Sequence, residues 1–387
     1  MNDFKRFKMI NKKYLQLAVI TVMFSGNCLL YAQNAKPINV VTTAVPFLRI
    51  SPDAKAGGMG DIGLATTPDA NAGYWNIGKI PFNTLKGGIV ANYTPWLKDW
   101  ASDMFLAAVS GYYKFDETQA INGGIRYFSL GNLQFSDNMG NHLQSFHPGE
   151  FGIDFGYSRK LSDKAGVGLG LKYIHSQLAT NGAGGNDYKA GNAVAADLGF
   201  YYDAKKANGD GWSFGAALSN LGSKISYTEN ADQKDFIPAN LGLGTTYTKV
   251  FDEQNKIKIG FDINKLLVPT PPNAGDSAAL VSYRDKSVVG SWFSSFDDAP
   301  GGFSEELKEF QVSLGAEYWY NDQFAVRAGY FYENKTKGNR RYFSTGLSIK
   351  YNVFTLHFSY LLPAGSGVDR SPLSNTLRLG IVFGFDK

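Results

Sequence analysis

His357 and Ser359 lie two apart in an alternating stretch. On a strand both side chains take the same face, where an imidazole could act as base to a hydroxyl nucleophile. Two requirements are unmet. The apolar residues of the stretch (Phe354, Leu356, Phe358, Tyr360) take the opposite face, so the pair turns away from any greasy substrate. A two-residue link at Tyr351-Asn352 would set Gly346 across from His357, which offers no carboxylate to orient the ring. Catalysis is therefore not expected. The four histidines (His142, His147, His175, His357) are scattered without ligand spacing, and no metal site is expected. The loop Asp297 to Gly302 resembles a calcium loop loosely, but Ala299 stands where a second acid is needed and Lys308 where a closing Glu should be. Gly166, Gly168 and Gly170, like Gly242 and Gly244, could be mistaken for phosphate loops. They open no helix, and they read as small positions on strands. No cofactor is expected.

One pair of opposite charges does find a structural role. If Asn321-Asp322-Gln323 is a three-residue turn, Val326 falls opposite Tyr318 and Ala328 opposite Ala316, while Glu317 faces Arg327 on the other side of the sheet. A two-residue turn would turn Arg327 onto the apolar face, at a cost of about 2–4 kcal/mol if that face meets lipid. The three-residue turn is expected, with Glu317 and Arg327 as an interior ion pair that stiffens the wall.

These residues need a sheet to hold them, and composition says where that sheet lies. Met1 to Ala32 has a basic start, an apolar run from Leu15 to Leu30 and Tyr31-Ala32 before Gln33, the pattern of a cleaved secretory signal peptide. Five of the 38 bases and one of the 34 acids lie there, so the remainder balances at 33 of each. A neutral exported chain gives no reason to expect nucleic-acid binding. The single cysteine, Cys28, would leave with the leader. Beyond Ala32 no stretch reaches the ~18 apolar residues of a membrane helix. With 28 Phe, 22 Tyr, 6 Trp and 44 Gly, the chain suits a transmembrane β-barrel, in which only every second residue meets lipid.

From Leu85 onward, alternating segments recur between Gly, Asn, Asp and Pro signals. About fourteen strands are expected: 85–94, 104–115, 120–133, 145–161, 165–179, 191–204, 211–227, 236–250, 256–268, 309–320, 324–334, 341–350, 353–362 and 374–385. With the link at Tyr351-Asn352, Phe354 would face Ile349 and Leu356 would face Leu347. The last strand ends on Phe385, two residues from the C-terminus, which resembles the insertion signal of bacterial outer-membrane barrels. Short links (116–119, 162–164, 252–255, 321–323) alternate with longer ones (134–144, 180–190, 228–235, 269–308, 335–340, 363–373). That asymmetry implies an up-and-down barrel with periplasmic termini, short turns inside and long loops outside.

Ser51 to Phe82 follows neither strand nor long-helix periodicity. Ala54, Ala56, Met59, Ile62 and Leu64 are spaced for a short helical turn, and Gly57, Gly58 and Gly60 permit close packing, so the stretch reads as a compact plug that needs a wall. Small residues lead there into Trp75-Asn76, with Ile77-Gly78 where Pro-Ala would be expected. The segment resembles the N-terminal hatch of the FadL-like outer-membrane proteins, and most closely that of the PorV family of the type IX secretion system. The loop DAPGGFSEELKEF (Asp298 to Phe310) and the run EYWYNDQFAVRAGYFYE (Glu317 to Glu333) extend the likeness.

The resemblance implies an all-β transmembrane barrel of about fourteen strands with an N-terminal hatch. The expected organisation is a signal peptide over 1–32, lead-in and hatch over 33–84, and an outer-membrane barrel over 85–387. It implies a non-enzymatic component that receives cargo bearing the type IX C-terminal signal domain from the SprA translocon. Delivery would be to the surface attachment complex containing PorU, with outer-membrane lipid around the barrel. The alternative is a FadL-type transporter of fatty acids or other hydrophobic small molecules. The link from Pro269 to Lys308 exceeds ordinary loop lengths and carries Trp292, Phe293, Phe296 and Phe303. It is expected to lie outside the cell as the partner-binding element. Ser304 before Glu305-Glu306 reads as the cap of a short helix there.

Overall fold

The computed structural model describes residues 39–96, 103–136, 139–140, 142–178, 188–229, 234–272, 277–364 and 375–386. The leader with Cys28, residues 33–38 and parts of several long links lie outside the described residues.

Among the described residues sixteen strands follow in chain order: β1 (Gly87–Pro95), β2 (Met104–Lys114), β3 (Gln119–Leu130), β4 (Leu133–Ser136), β5 (His142–Phe146), β6 (Gly149–Lys160), β7 (Ala165–Gln177), β8 (Gly191–Asp203), β9 (Gly211–Gly222), β10 (Asn240–Val250), β11 (Asn255–Leu266), β12 (Gln311–Tyr320), β13 (Phe324–Tyr332), β14 (Arg341–Tyr351), β15 (Phe354–Pro363) and β16 (Thr376–Phe385). Fourteen of them form one closed antiparallel barrel in which each strand pairs with its neighbour, β3 pairs with β6, and β16 returns to β1. Closure removes the open edge that a sheet would otherwise expose to lipid.

The sequence alternates because the two faces meet different media. Leu169, Leu171 and Tyr173 of β7, Val194, Leu198 and Phe200 of β8, and Phe343, Leu347 and Ile349 of β14 are exposed on the outside, and every other barrel strand contributes to the same belt. A greasy belt of this extent suits hydrocarbon rather than water. No helix among the described residues is long and apolar enough to cross a membrane. Four-residue links such as 115–118, 161–164 and 251–254 lie at one end of the barrel and the long ones at the other, which sets the periplasmic and extracellular ends.

Several expectations need correction. The stretch around 134–144 is not a plain loop: β4 and β5 form a separate two-stranded sheet off the barrel. Strand β9 stops at Gly222, well before 227, because Asn220 takes a left-handed φ of 57° and the pairing with β8 shifts there. Between β14 and β15 the turn is Asn352-Val353, so Ile349 faces Leu356, Leu347 faces Phe358, and His357 faces Ser348 rather than Gly346. The offset is two residues. A side-chain period of two fixes which face is apolar and leaves even-numbered slips unresolved; the left-handed Asn352 (φ 53°) decides the turn. The β12–β13 turn is the three-residue one, with Glu317 opposite Arg327.

Residues 45–83 lie against the inward face of this ring. They contain helical turns at Ala54–Gly57 and Ala72–Trp75 and 3-10 turns at Pro46–Arg49 and Ile77–Phe82. Val45, Phe47 and Leu48 pack among Leu106, Phe128 and Ile174, near the extracellular ends of β2, β3 and β7. Ile77 and Ile80 pack among Val90, Tyr112 and Ala120 lower down. The segment finishes at the periplasmic end, where Lys114 Nζ donates to the Asn83 carbonyl at 2.9 Å. The barrel's own ends, the start of β1 and the end of β16, meet at the periplasmic end as expected, but residues 39–44 lie at the other end. Ala44 N–H donates to the carbonyl of Phe236 in an extracellular link, and Val41 packs on Phe236, Leu266, Val268 and Tyr283. The chain therefore descends through the barrel before β1 begins.

Candidate functional site

Two places gather the residues with functional potential: the inner segment with its surrounding wall, and the long link above it.

Small residues let the inner segment and the wall touch backbone to backbone. A Cβ at Gly329 would stand 2.1 Å from Gly60 N, one at Gly315 2.3 Å from Met59 O, and one at Gly346 2.9 Å from Gly58 Cα. The glycine run of β7 has the same role, since a Cβ at Gly168 would lie 2.3 Å from Ile77 Cγ2. Gly57 lies beside Ser359 and Arg378. Gly60 also needs its positive φ of 71°, which side-chain-bearing residues rarely adopt. Trp75 covers Gly63 and donates its indole N–H to Asp53 Oδ2 at 3.0 Å. Asn76 donates to the carbonyls of Leu64 (3.0 Å) and Phe200 (2.8 Å) and accepts from Gly78 N–H at 3.0 Å.

Polar wall residues satisfy the segment's backbone. Asp262 Oδ2 accepts from Gly63 N–H at 2.8 Å and Leu64 N–H at 3.0 Å. Ser344 Oγ accepts from Gly60 N–H at 2.8 Å, and Thr246 Oγ1 donates to the Ala65 carbonyl at 2.9 Å. Lys55 pairs with Asp69 at 2.7 Å. Burial opposes both charges, yet Asp69 keeps the Lys55 ammonium above its usual range. Burial pushes Lys79 down to about 8, with Asp69 pulling the other way. On the extracellular side, Asp61 takes the guanidinium of Arg378 and, at 2.5 Å, the Tyr342 hydroxyl.

Glu317 and Arg327 meet at 2.7 Å, both fully buried, and Lys258 adds a second cation 3.3 Å from Glu317. Arg327 also donates to Ser348 Oγ at 2.5 Å, and Ser348 Oγ lies 2.5 Å from His357 Nδ1. His357 is thus one link of a buried polar chain beneath the inner segment, away from any open surface. Replacing Glu317 with Gln leaves two buried cations without their anion. The midpoint of heat- or urea-induced loss of the compact gel form is expected to fall, reflecting about 3–5 kcal/mol, with part of the loss recovered in Glu317→Gln/Arg327→Met.

The long link departs from a plain loop. Ser277–Asp285, Val288–Ser294 and Phe303–Glu306 are helical. Its foot is clamped to the barrel mouth: Lys265, 1% exposed, sits 3.0 Å from Glu306 and 2.7 Å from Glu309, while Lys337 reaches Glu305 at 2.6 Å and Glu309 at 3.0 Å. Ser304 is not the expected cap. Gly302 holds that position with φ 66° and makes no side-chain bond, and Ser304 lies inside the turn. The acids turn back instead: Glu306 Oε1 accepts from the Asp298 and Ala299 amides, and Glu305 Oε2 from Gly301. Asp298 pairs with Lys286 and accepts from Thr270 N–H. Phe293 (75%) and Phe303 (74%) stand out into solvent, Phe296 is exposed, and Trp292 is half-buried, a smaller share of the surface than the sequence led one to expect. Sequence reading missed the apolar company of these rings: Val281, Val289 and Leu307 are exposed on the same link. Helical spacing could have found Val281 and Val289.

Also unread from sequence is a chamber of about 100 Å³ above the inner segment, lined in part by Arg49, Arg126, Arg340 and Arg378.

A closed fourteen-strand barrel with an apolar belt and an N-terminal segment against its inner wall defines a FadL-like outer-membrane protein. The fold is similar to crystal structures of two toluene transporters. TbuX of Ralstonia pickettii is 14% identical, with TM-score 0.50 over 85% of this chain and 97% of that one. TodX of Pseudomonas putida is 12% identical, with TM-score 0.50 over 90% and 98%. No curated protein sequence matches the chain. The chain belongs to the PorV family: the model described as "Type IX secretion system protein PorV" matches residues 32–273. It is an outer-membrane component of type IX secretion.

Proposed function

We propose that this barrel binds secreted cargo bearing the type IX C-terminal signal domain as it leaves the SprA translocon and delivers it to the surface attachment complex containing PorU. The observation that carries this reading is the exposed apolar surface of the long link, with Phe293, Phe296 and Phe303 beside Val281, Val289 and Leu307. Exposed rings of this kind cost solubility unless something covers them, and aromatic anchors dominate protein interfaces. The buried lysine–glutamate clamps at the foot support the same reading. A surface held in one shape loses less entropy on binding than a free loop does.

The signal peptide is proposed to be cleaved before Gln33. Residues 45–83 are proposed as the hatch that keeps the lumen shut, so that cargo is handled on the outer face rather than passed through this barrel. The transporter alternative lacks an observation of its own in this chain.

Extraction of membranes in gentle detergent and capture on a tagged copy should recover the translocon and signal-bearing cargo. Loss of the gene should leave many folded cargo proteins in the periplasm. Normal surface display with a defect confined to uptake of one hydrophobic nutrient would overturn the reading in favour of transport.

A further inference from the structure

The chamber above the inner segment has an uneven set of charges. Five cations and one carboxylate line it: Arg49, Arg126, Lys172, Arg340, Arg378 and Asp61. Behind them stand three further carboxylates, Glu333, Asp197 and Asp154. Arg340 holds Glu333 at 2.8 and 2.9 Å, Lys172 holds Asp197 at 2.9 Å, and Arg378 holds Asp61. Each of those three cations has its own carboxylate within hydrogen-bond reach, although Nε of Arg378 has no partner among the described residues.

The other two cations are left short. Arg49 shares the already engaged Glu333 at 3.8 Å, and Arg126 stands 3.8 Å from Asp154, both beyond hydrogen-bond reach. Arg126 is 5% exposed, yet its Nη1 has no hydrogen-bond partner among the described residues, and neither has Nη2 of Arg49. The Arg126 guanidinium lies over the Tyr74 ring at 4.9 Å, which fixes its plane. A buried guanidinium with an idle N–H loses hydration without compensation, and an oxyanion is the partner its fork matches. Burial, then the neighbouring Arg340 charge, pushes the pKa of Arg49 down to about 9, so its charged form is under-supported here. Within this set five cations face four carboxylates, and a single negative charge would balance it.

The lining also indicates what carries that charge. Ser219, Asn220, Asn240, Asn264 and Gln311 face the same space from β9 to β12. Such a wall offers hydrogen bonds rather than an apolar tube for a long acyl chain. All five belong to the extracellular halves of their strands, or to strand ends there, so the chamber lies on the outer side of the inner segment.

We propose that this chamber binds a hydrophilic organic carboxylate, with Arg126 and Arg49 taking the carboxylate and the amides and hydroxyl of β9–β12 taking its polar neighbours. The carboxylate has two sources, the free end of a polypeptide or a small free acid. The site does not depend on the long link or on the secretion reading.

The test is titration calorimetry of the full mature protein in detergent. The probes are the tripeptide N-acetyl-Ala-Asn-Gly with a free carboxylate, the same tripeptide as its amide, succinate, and laurate. Saturable binding of the acid peptide, at least tenfold tighter than its amide and than laurate, supports the site and a chain-end source. Succinate binding as tightly as the peptide supports the site with a small-acid source. Arg126→Gln should weaken the bound acid at least tenfold and Arg126→Lys less, with unchanged heat-modifiable mobility confirming a folded barrel. Lys256→Gln, at the periplasmic end, should leave affinity unchanged. Equal binding of acid and amide, tighter binding of laurate, no saturable binding of any acid, or an Arg126→Gln variant that is folded and binds normally would each overturn the proposal.

Discussion

Removing residues 45–82 is expected to turn a nearly non-conducting barrel into an open pore, with planar-bilayer conductance rising about tenfold or more, since an unplugged barrel of this size encloses water. The segment is fastened around the whole ring: by Asn92 and Ser110 on one side, Thr246 and Asp262 on another, and Ser344 and Arg378 on a third. Deletion also strips the wall glycines of their packing partner, so a second variant leaves the chain whole. In Asp262→Ala/Ser344→Ala the amides of Gly60, Gly63 and Leu64 lose their acceptors, at about 1–3 kcal/mol each. That variant should show brief openings absent from the parent. If both variants insert and conduct no more than the intact protein, the segment is not what closes the lumen.

The second large effect is expected at the long link. Replacing Trp292, Phe293 and Phe296 together with Ser should leave the amount of assembled barrel unchanged, because none of the three lies on a strand. Cargo display at the surface and co-purification with the translocon should both fall. Aromatic anchors at the centre of an interface cost about 2 kcal/mol or more each when truncated, so loss of even one weakens binding about thirtyfold. The geometry refines the choice of residues. The Phe296 ring lies 5.5 Å from the Lys265 ammonium and Trp292 is half-buried, so part of their effect would fall on the clamp. Phe293→Ser/Phe303→Ser removes the two rings with least contact and isolates the surface itself. Wild-type export by this double variant, present in normal amount, would rule out the aromatic face as the docking element.

The barrel was legible because lipid on one side and a crowded lumen on the other impose alternation on every strand. The three-residue turn before β13 followed from keeping Arg327 out of lipid. No such penalty discriminates between registers of β14 and β15 two residues apart, and there the left-handed Asn352 carried the information instead. The β4–β5 sheet stands off the barrel and leaves no lipid-facing stripe to read. The glycines of β7 and β10 were recognised as small interior positions, but their partners Ile77 and Leu64 come from far along the chain. The carboxylate chamber was unreadable for the same reason. Arg49, Arg126 and Arg340 become neighbours only when the ring closes, and their shortage of partners is a property of the assembled set.

The lead-in has a mechanical consequence. Val41 and Val288 rest on the same cluster of Phe236, Leu266, Val268 and Tyr283, one from the lead-in and the other from the long link. From Val41 to Val45 the chain spans at most about 14 Å when fully extended. Val45 is fully buried and holds a left-handed φ of 46°, which a β-branched residue adopts only under restraint. A load borne by the outer helices is thus one short tether away from the body of residues within the ring. Only four residues of chain separate the packed rim at Val41 from the buried Val45 at the head of the inner segment.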